Sequence, residues 1–212
     1  MKHILVYSDS LTWGIIPNTR KRLDFDDRWP GVMENLLNEN SRKFRVIENC
    51  LNGRRTAWDD PFMPGRNGLT GIGQVIEMHS PLDLVILMLG TNDFQSMHQN
   101  NAWHSAQGIG ALITAIRQAP IEPGMPVPQI LLVVPPPIQR PKGPIAQKFE
   151  GGDVKYQGLA EEYRKVADEQ KCLFFDSSSV TLSSKVDGIH LDKDQHYLLG
   201  KALAEKVIEA AV

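Results

Sequence analysis

A serine near the start of the chain and an acid–histidine pair near its end supply the residue types of a hydrolytic relay. Ser10 lies in the stretch SDSLTWG, and Asp187 stands three residues before His190. A serine hydroxyl is a weak nucleophile until a neighbouring imidazole takes its proton. The imidazole in turn needs an acid that fixes its tautomer and stabilises its charged form. We therefore predict Ser10 as nucleophile, His190 as base and Asp187 as the acid that orients it.

Acyl transfer also needs hydrogen-bond donors for the negative oxygen of a tetrahedral intermediate. The candidates are the backbone N–H of Ser10 at a helix start, the backbone N–H of Gly53, and the side-chain amide of Asn92. Each has an ordinary alternative, because serine favours helix N-caps, glycine favours turns with positive φ, and asparagine favours Asx-turns. Together the three are predicted to form an oxyanion hole.

Five short apolar runs predict the strands that must position these residues. Two of them, LVILML and ILLVV, are continuously apolar, which is typical of central parallel strands covered on both faces. The predicted strands are His3–Tyr7, Phe44–Glu48, Leu84–Leu89, Ile130–Val134 and Leu173–Asp176.

Apolar residues at helical spacing separate the strands and follow the last one. A strand and a helix repeated five times predict an α/β protein whose parallel sheet lies between two helix layers. We expect a three-layer α/β/α, flavodoxin-like fold with five strands, and residues 1–212 as a single domain. The marking positions are Val32, Met33, Leu36 and Leu37; Ile72, Val75, Ile76 and Met78; Ile109, Leu112, Ile113 and Ile116; Leu159, Tyr163 and Val166; and Leu198, Leu199, Ala202, Leu203, Val207 and Ile208.

Ligands of an open parallel sheet bind outside the carboxyl ends of its strands. The first, second, third and fifth predicted strands are each followed by one of the polar stretches that hold the candidate residues. Two further connections, residues 15–28 and 135–157, are long for a compact domain. Loops of that length are expected to serve as lids, binding walls or interfaces.

The stretches SDSLTWG, LNGRRT, GTND and DGIH, in this order and spacing, resemble the SGNH or GDSL hydrolase family. Three features are similar to its arylesterase and acyltransferase branch: the tryptophan of the first stretch, Arg55-Thr56 after Gly53, and the Asp59-Asp60-Pro61 run. Ser8 stands where the family usually has glycine, and a small residue is retained there. The resemblance implies the SGNH hydrolase fold and no cofactor. It implies the same roles for Ser10, Gly53, Asn92, Asp187 and His190.

Four apolar residues are candidate walls of a substrate pocket: Trp13, Ile15, Phe149 and Ile189. The first two follow the nucleophile, the last precedes the histidine, and Phe149 lies in the long late loop. For each of them ordinary core packing is the alternative.

Other polar residues near the motifs have simpler interpretations. We expect Asp9 in a turn or in support of the catalytic residues rather than as a nucleophile, Asp93 as a helix cap, and His196 at the surface or in packing. The remaining histidines have no ligand-like spacing with one another, so no metal is predicted.

The predicted activity is serine carboxylesterase hydrolysis of small or aryl esters through an acyl-enzyme, with acyl transfer to other nucleophiles implied by the resemblance. A carbohydrate deacetylase, a thioesterase or a lysophospholipase would use the same triad and stays an alternative. A phosphotransferase using Asp9 is disfavoured, since no second acid lies two residues later. A nucleotide-binding module is disfavoured because the stretch TGIGQ lacks a third glycine and does not follow a strand.

Charge and composition limit the partners. A net charge of −2 over 212 residues gives no reason to expect nucleic acid or a membrane as partner. The N-terminal apolar stretch is too short for a signal peptide, so we expect a soluble, cytoplasmic protein with a small-molecule ester as substrate. Cys50 and Cys172 are expected as buried free thiols. A homo-oligomer of undetermined size is consistent with the resemblance.

Overall fold

The fold is built on one five-stranded sheet, described in a computed structural model for residues 1–39 and 43–210. All four neighbouring pairs of strands are parallel, and their order is β2-β1-β3-β4-β5. This is the flavodoxin-like order, so the predicted sheet is confirmed. The strands are β1 (Lys2–Ser8), β2 (Phe44–Cys50), β3 (Leu84–Met88), β4 (Gln129–Val134) and β5 (Leu173–Asp176).

Seven α-helices lie in the described parts of the chain. Helices α2 and α7 pack against each other on one face of the sheet. Helices α3, α4 and α6 contribute to the core cluster on the other face. The helices are α1 (Ser10–Trp13), α2 (Trp29–Asn38), α3 (Ile72–His79), α4 (Ala102–Arg117), α5 (Gly152–Lys155), α6 (Leu159–Glu169) and α7 (Lys193–Glu209).

Burial explains where the sequence patterns succeed and where they are too broad. Every residue of β3 is buried, as its continuous apolar run predicts. The predicted helical stripes include three residues whose side chains are largely exposed: Met78 at 69%, Leu198 at 42% and Ile208 at 43%. They lie on the outer side of α3 and α7, whose inner faces are already filled by other apolar residues.

Gly200 allows the close approach of α7 to α2. A Cβ atom added there would lie 2.7 Å from the Val32 Cβ and 2.8 Å from the Trp29 carbonyl oxygen. We expect Gly200→Ala to lower the free energy of unfolding by about 1–3 kcal/mol, because the two helices must move apart. The control is Gly110→Ala in α4, where the nearest atom is 4.0 Å away. This control should be neutral or stabilising by up to about 1 kcal/mol. Equal urea midpoints for the two variants would contradict the explanation.

Two expectations about the chain as a whole can be compared with the structure. Cys50 and Cys172 are free, as expected, but both are half-buried rather than buried. Among residues 1–39 and 43–210, no helix is both long and apolar enough to cross a membrane.

Candidate active site

The candidate nucleophile stands on the first turn of the short helix that follows β1. Asp9 caps this turn, because its Oδ1 accepts the Leu11 N–H at 2.9 Å. Gly14 ends the turn with φ of +85°, a conformation that disfavours a side chain. Ser10 is thereby held between two fixed ends at the carboxyl edge of the sheet, with 7% of its surface exposed.

The structure brings together the three residues of the predicted relay. His190 Nε2 lies 3.2 Å from Ser10 Oγ, and His190 Nδ1 lies 2.7 Å from Asp187 Oδ2. The other oxygen of Asp187 accepts the backbone N–H groups of Ile189 and His190, each at 2.9 Å. The acid is therefore fixed by its own loop while it holds the imidazole toward the serine.

The environment of Asp187 keeps its carboxylate ionised. Burial alone would raise its pKa, but the hydrogen bond and charge of His190 and the two backbone N–H groups outweigh it, so the pKa lies below its usual value. Two backbone hydrogen bonds from the loop after β4 also hold this loop in place. The Lys142 N–H donates to the Asp187 carbonyl, and the Gln139 N–H donates to the Gly188 carbonyl, both at 2.9 Å.

Gly53 and Asn92, two of the predicted oxyanion donors, lie in the stretches that follow β2 and β3. Gly53 has a positive φ of +82°. The Asn92 amide donates to Asp9 Oδ2 at 2.9 Å and to the Arg54 carbonyl at 3.1 Å. Both N–H groups of that amide thus already have acceptors. Asn92 can reach an oxyanion only by sharing or exchanging one of them.

Asp9 lies in the turn after β1 and also supports a neighbouring side chain, as expected from the sequence. It is almost completely buried, and burial raises its pKa to about 6, against the effects of the Leu11 N–H, His190 and Asn92. Its two oxygens serve two neighbours, since one caps α1 and the other orients the Asn92 amide. Asp9 therefore couples the nucleophile's turn to a candidate oxyanion donor.

Asp93 does not cap a helix, and that prediction was wrong. It lies inside the short 3₁₀ turn Thr91–Phe94, and its carboxylate accepts the Thr56 N–H at 2.9 Å and the Thr56 hydroxyl at 2.7 Å. It also accepts the Ser105 hydroxyl at 2.7 Å. Burial raises the pKa of Asp93 to about 6. The side chain joins the stretches after β2 and β3 to α4.

A buried arginine, which the family resemblance marked without giving it a role, organises the same region. Arg55 is completely buried and forms an ion pair of 2.8 Å with Asp60. It also donates to the Gly53 carbonyl at 3.2 Å and to Gln95 Oε1 at 2.5 Å. Gln95 in turn donates to Asn92 Oδ1 at 2.7 Å. Arg55 therefore supports both Gly53 and Asn92, and its only signal in the sequence was its place within LNGRRT.

We expect Arg55→Ala to lower the free energy of unfolding by about 3–5 kcal/mol, because it leaves the Asp60 carboxylate buried without its partner. The matched control is Lys2→Ala, which breaks an ion pair with Asp83 whose side chains are 51% and 30% exposed. Exposed pairs contribute about 1 kcal/mol or less. Urea unfolding of both variants checks the prediction, and similar losses in the two would contradict it.

The four predicted wall residues fall into two groups. Trp13 and Ile15 are half-buried, and the Arg22 guanidinium lies 4.8 Å from the centre of the Trp13 ring. Phe149 and Ile189 are only 2% and 1% exposed and pack in the larger core cluster. Their role as pocket walls stays a prediction, and Trp13 and Ile15 have more surface to offer a ligand.

His196 packs inside the protein. It is 1% exposed, and its Nδ1 accepts the Trp29 N–H at 3.3 Å. Burial, together with the smaller effects of the charges of His190 and Arg28, lowers its pKa to about 3. Over the ranges that the structure describes, no group of three or more His, Cys, Asp or Glu side chains could hold a metal ion.

Comparison with known proteins identifies the class of enzyme to which this geometry belongs. A model of the GDSL-like Lipase/Acylhydrolase family matches residues 9–198, which include the four motifs except Ser8, the first residue of the first motif. The chain belongs to this family. The predicted family and its ester hydrolase activity are therefore confirmed. A search of curated proteins finds no match.

The fold of this GDSL-like hydrolase agrees, over nearly the full chain, with solved structures of related proteins. An inhibitor-bound aryl esterase from M. smegmatis is 38% identical, with a TM-score of 0.93 and coverage of 99% of each chain. A carbohydrate acetylesterase from Sinorhizobium meliloti is 34% identical, with a TM-score of 0.93, covering 99% of this chain and 100% of that one. A carbohydrate acetylesterase family member from the same organism is 37% identical, with a TM-score of 0.92 and coverage of 99% and 98%.

Proposed function

We propose that the protein hydrolyses small and aryl esters with Ser10 as nucleophile, His190 as general base and Asp187 as the orienting acid. The single observation that carries this assignment is the continuous chain of hydrogen-bond distances from Asp187 through His190 to Ser10, 2.7 and 3.2 Å. The likeness to an aryl esterase supports an aryl or small alcohol as leaving group. Residues 1–212 act in this proposal as one catalytic domain, because the site draws on both ends of the chain.

In the acylation step, Ser10 Oγ forms a bond to the ester carbonyl carbon while His190 Nε2 takes the hydroxyl proton. The negative charge moves to the carbonyl oxygen, where the N–H groups of Ser10 and Gly53 and the amide of Asn92 can stabilise it. Collapse of the tetrahedral intermediate breaks the bond to the alcohol oxygen, and His190 returns the proton to the leaving alcohol. An acyl group remains on Ser10.

In the deacylation step, water loses a proton to His190 and attacks the acyl carbon. The second tetrahedral intermediate releases the carboxylic acid and restores Ser10 with its proton. An alcohol in place of water gives a new ester by the same proton transfers. The half-buried side chains of Trp13 and Ile15 beside the nucleophile support such an acyl acceptor, since apolar surface disfavours water.

A carbohydrate deacetylase is the second candidate, favoured by the likeness to the S. meliloti carbohydrate acetylesterase. It would use the same acyl-enzyme and differ only in the leaving alcohol. Thioesters and lysophospholipids are the remaining alternatives for the same triad. Parallel rates on an acetylated sugar, an aryl acetate, an acyl thioester and a lysophospholipid would rank the four.

The proposed function is tested by incubating the protein with p-nitrophenyl acetate and, separately, p-nitrophenyl phosphate. Acetate turnover without phosphate turnover is expected. A serine-directed fluorophosphonate should then add one phosphonyl group, located at Ser10 by peptide mass analysis, and abolish acetate turnover. Full activity after stoichiometric labelling elsewhere, or turnover of the phosphate ester instead, would overturn the assignment.

A further inference from the structure

Asn92 can stabilise an oxyanion in only one of the two orientations of its amide. A half rotation of an asparagine amide exchanges the Nδ2 donor for the Oδ1 acceptor, and the two ends have nearly the same shape. An Oδ1 atom directed at the negative oxygen of a tetrahedral intermediate would repel it. The role proposed for Asn92 therefore requires neighbours that hold its amide in one orientation.

The two ends of the Asn92 amide have partners of opposite kind. Nδ2 donates to Asp9 Oδ2 at 2.9 Å and to the Arg54 carbonyl at 3.1 Å. Oδ1 accepts a hydrogen bond from Gln95 Nε2 at 2.7 Å. Gln95 is itself an amide with two orientations, so its contact with Asn92 depends on what fixes the glutamine.

Arg55 fixes the orientation of Gln95. Its Nη2 donates to Gln95 Oε1 at 2.5 Å. Because a guanidinium donates hydrogen bonds and cannot accept them, Gln95 must turn its oxygen toward Arg55 and its Nε2 toward Asn92. Gln95 is completely buried, and Lys155 Nζ donates to its backbone carbonyl at 3.0 Å. Bulk water is thus kept from the glutamine amide, and its main chain is held in place.

Asp60 holds the other end of this series of hydrogen bonds. One oxygen of Asp60 accepts Arg55 Nη1 at 2.8 Å, and the other accepts the N–H groups of Phe62 at 2.8 Å and Met63 at 3.0 Å. From this fixed arginine, each group donates to the next, first to Gln95 and then to Asn92. Hydrogen bonds that follow one another in this way polarise each other, which strengthens the last donor.

We propose that Gln95 is a positioning residue for the oxyanion hole. It passes the donor direction of Arg55 on to Asn92, and so keeps Nδ2 rather than Oδ1 on the side of Asp9 and the nucleophile's turn. Gln95 acts through Asn92 and not on the substrate. This inference rests on the proposed function, since it explains how one of the oxyanion donors of that function is oriented.

Gln95→Glu tests the direction of the hydrogen bonds. The glutamate keeps an acceptor for Arg55, but it replaces the Nε2 donor by an oxygen that would repel Asn92 Oδ1. We expect kcat for p-nitrophenyl acetate to fall about 10- to 100-fold, with KM little changed. The dissociation constant of phenylboronic acid, whose tetrahedral adduct with serine resembles the intermediate, should rise by a similar factor. Gln95→Met removes the donor without adding a charge and should show the same two effects.

A double-mutant cycle separates positioning from a general loss of structure. Asn92→Ala removes the donor itself and should lower kcat about 100- to 1000-fold. Adding Gln95→Glu or Gln95→Met to Asn92→Ala should cause no further loss, because no amide is left to orient. A fall by the same factor in both backgrounds overturns the inference, as does a wild-type kcat in the single Gln95 variants. If Gln95→Glu does not fold, the Gln95→Met cycle decides.

The matched control is His98→Ala, which removes a different partner of the same guanidinium. Arg55 Nε donates to His98 Nε2 at 2.7 Å, on a branch that does not lead to Asn92. This variant should lower kcat much less than Gln95→Glu, and an equal fall in the two overturns the inference. Failure of the proposed function looks different, because Ser10→Ala would then still hydrolyse the ester. Loss of hydrolysis in Ser10→Ala with a wild-type kcat in Gln95→Glu overturns the positioning role alone.

Discussion

Ser10→Ala should lower kcat for p-nitrophenyl acetate by something on the order of a million-fold, which in practice means to background. Among the residues that the structure describes, the Ser10 hydroxyl is the nucleophile within hydrogen-bond distance of His190, which in turn contacts Asp187. The residual rate should stay above that of water, since the oxyanion donors and the binding surface remain. Initial rates at high enzyme concentration, with active-site titration of the wild type, provide the measurement.

The loss must be separated from a loss of fold. Within residues 1–39 and 43–210 the Ser10 side chain makes one hydrogen bond, to His190, so removing it should change the free energy of unfolding by less than about 1 kcal/mol. Ser178→Ala removes an exposed hydroxyl near β5 and should retain full activity. Acetate turnover by Ser10→Ala at the wild-type rate would rule out the assigned nucleophile and direct attention to the buried carboxylate of Asp9.

Asp187→Asn should lower kcat by about 10⁴-fold while leaving the loop in place. An asparagine oxygen can still accept the N–H groups of Ile189 and His190, which hold the loop at 2.9 Å. Its amide would then present a donor to His190 Nδ1 and favour the tautomer that carries its proton on Nε2. That tautomer cannot take the proton of Ser10. The expected loss lies almost entirely in kcat, with KM little changed.

A matched control for this variant is Asp194→Asn, an exposed acid in the first turn of α7. It should keep wild-type kcat, because it contacts none of the three relay residues. A kcat for Asp187→Asn within tenfold of wild type would contradict the orienting role. Such a result would mean that packing alone holds the imidazole.

The relay and the sheet could be predicted from the sequence because both depend on local patterns. The continuous apolar run of β3 allows no other arrangement than a covered strand, and Asp187 and His190 lie close enough to pair within one loop. Strand ends then bring distant motifs together, since parallel strands present their carboxyl ends at one edge. Family likeness added the order of the motifs.

The missed features depend on contacts that no local pattern encodes. Asp93 was expected to cap a helix because the sequence shows only which residues are neighbours along the chain. Its partners are Thr56 and Ser105 instead. The resemblance marked Arg55 without giving it a role, and its partners Asp60 and Gln95 are known only from the structure. The hydrogen bond from the Asn92 amide to Asp9 likewise could not be predicted, because the two residues are far apart in the sequence.

The distance along the chain between the two ends of the relay has a consequence for how activity arises during assembly. Ser10 and His190 are 180 residues apart and meet only after the first strand and the last loop have both docked. Contacts of such long separation are late and entropically costly to close. On the proposed roles, a chain interrupted before Asp187 carries a nucleophile without a base. The hydrolysis rate that returns during synthesis or refolding should therefore measure the number of fully folded molecules. Chains that are interrupted before Asp187, or only partly folded, should be inactive.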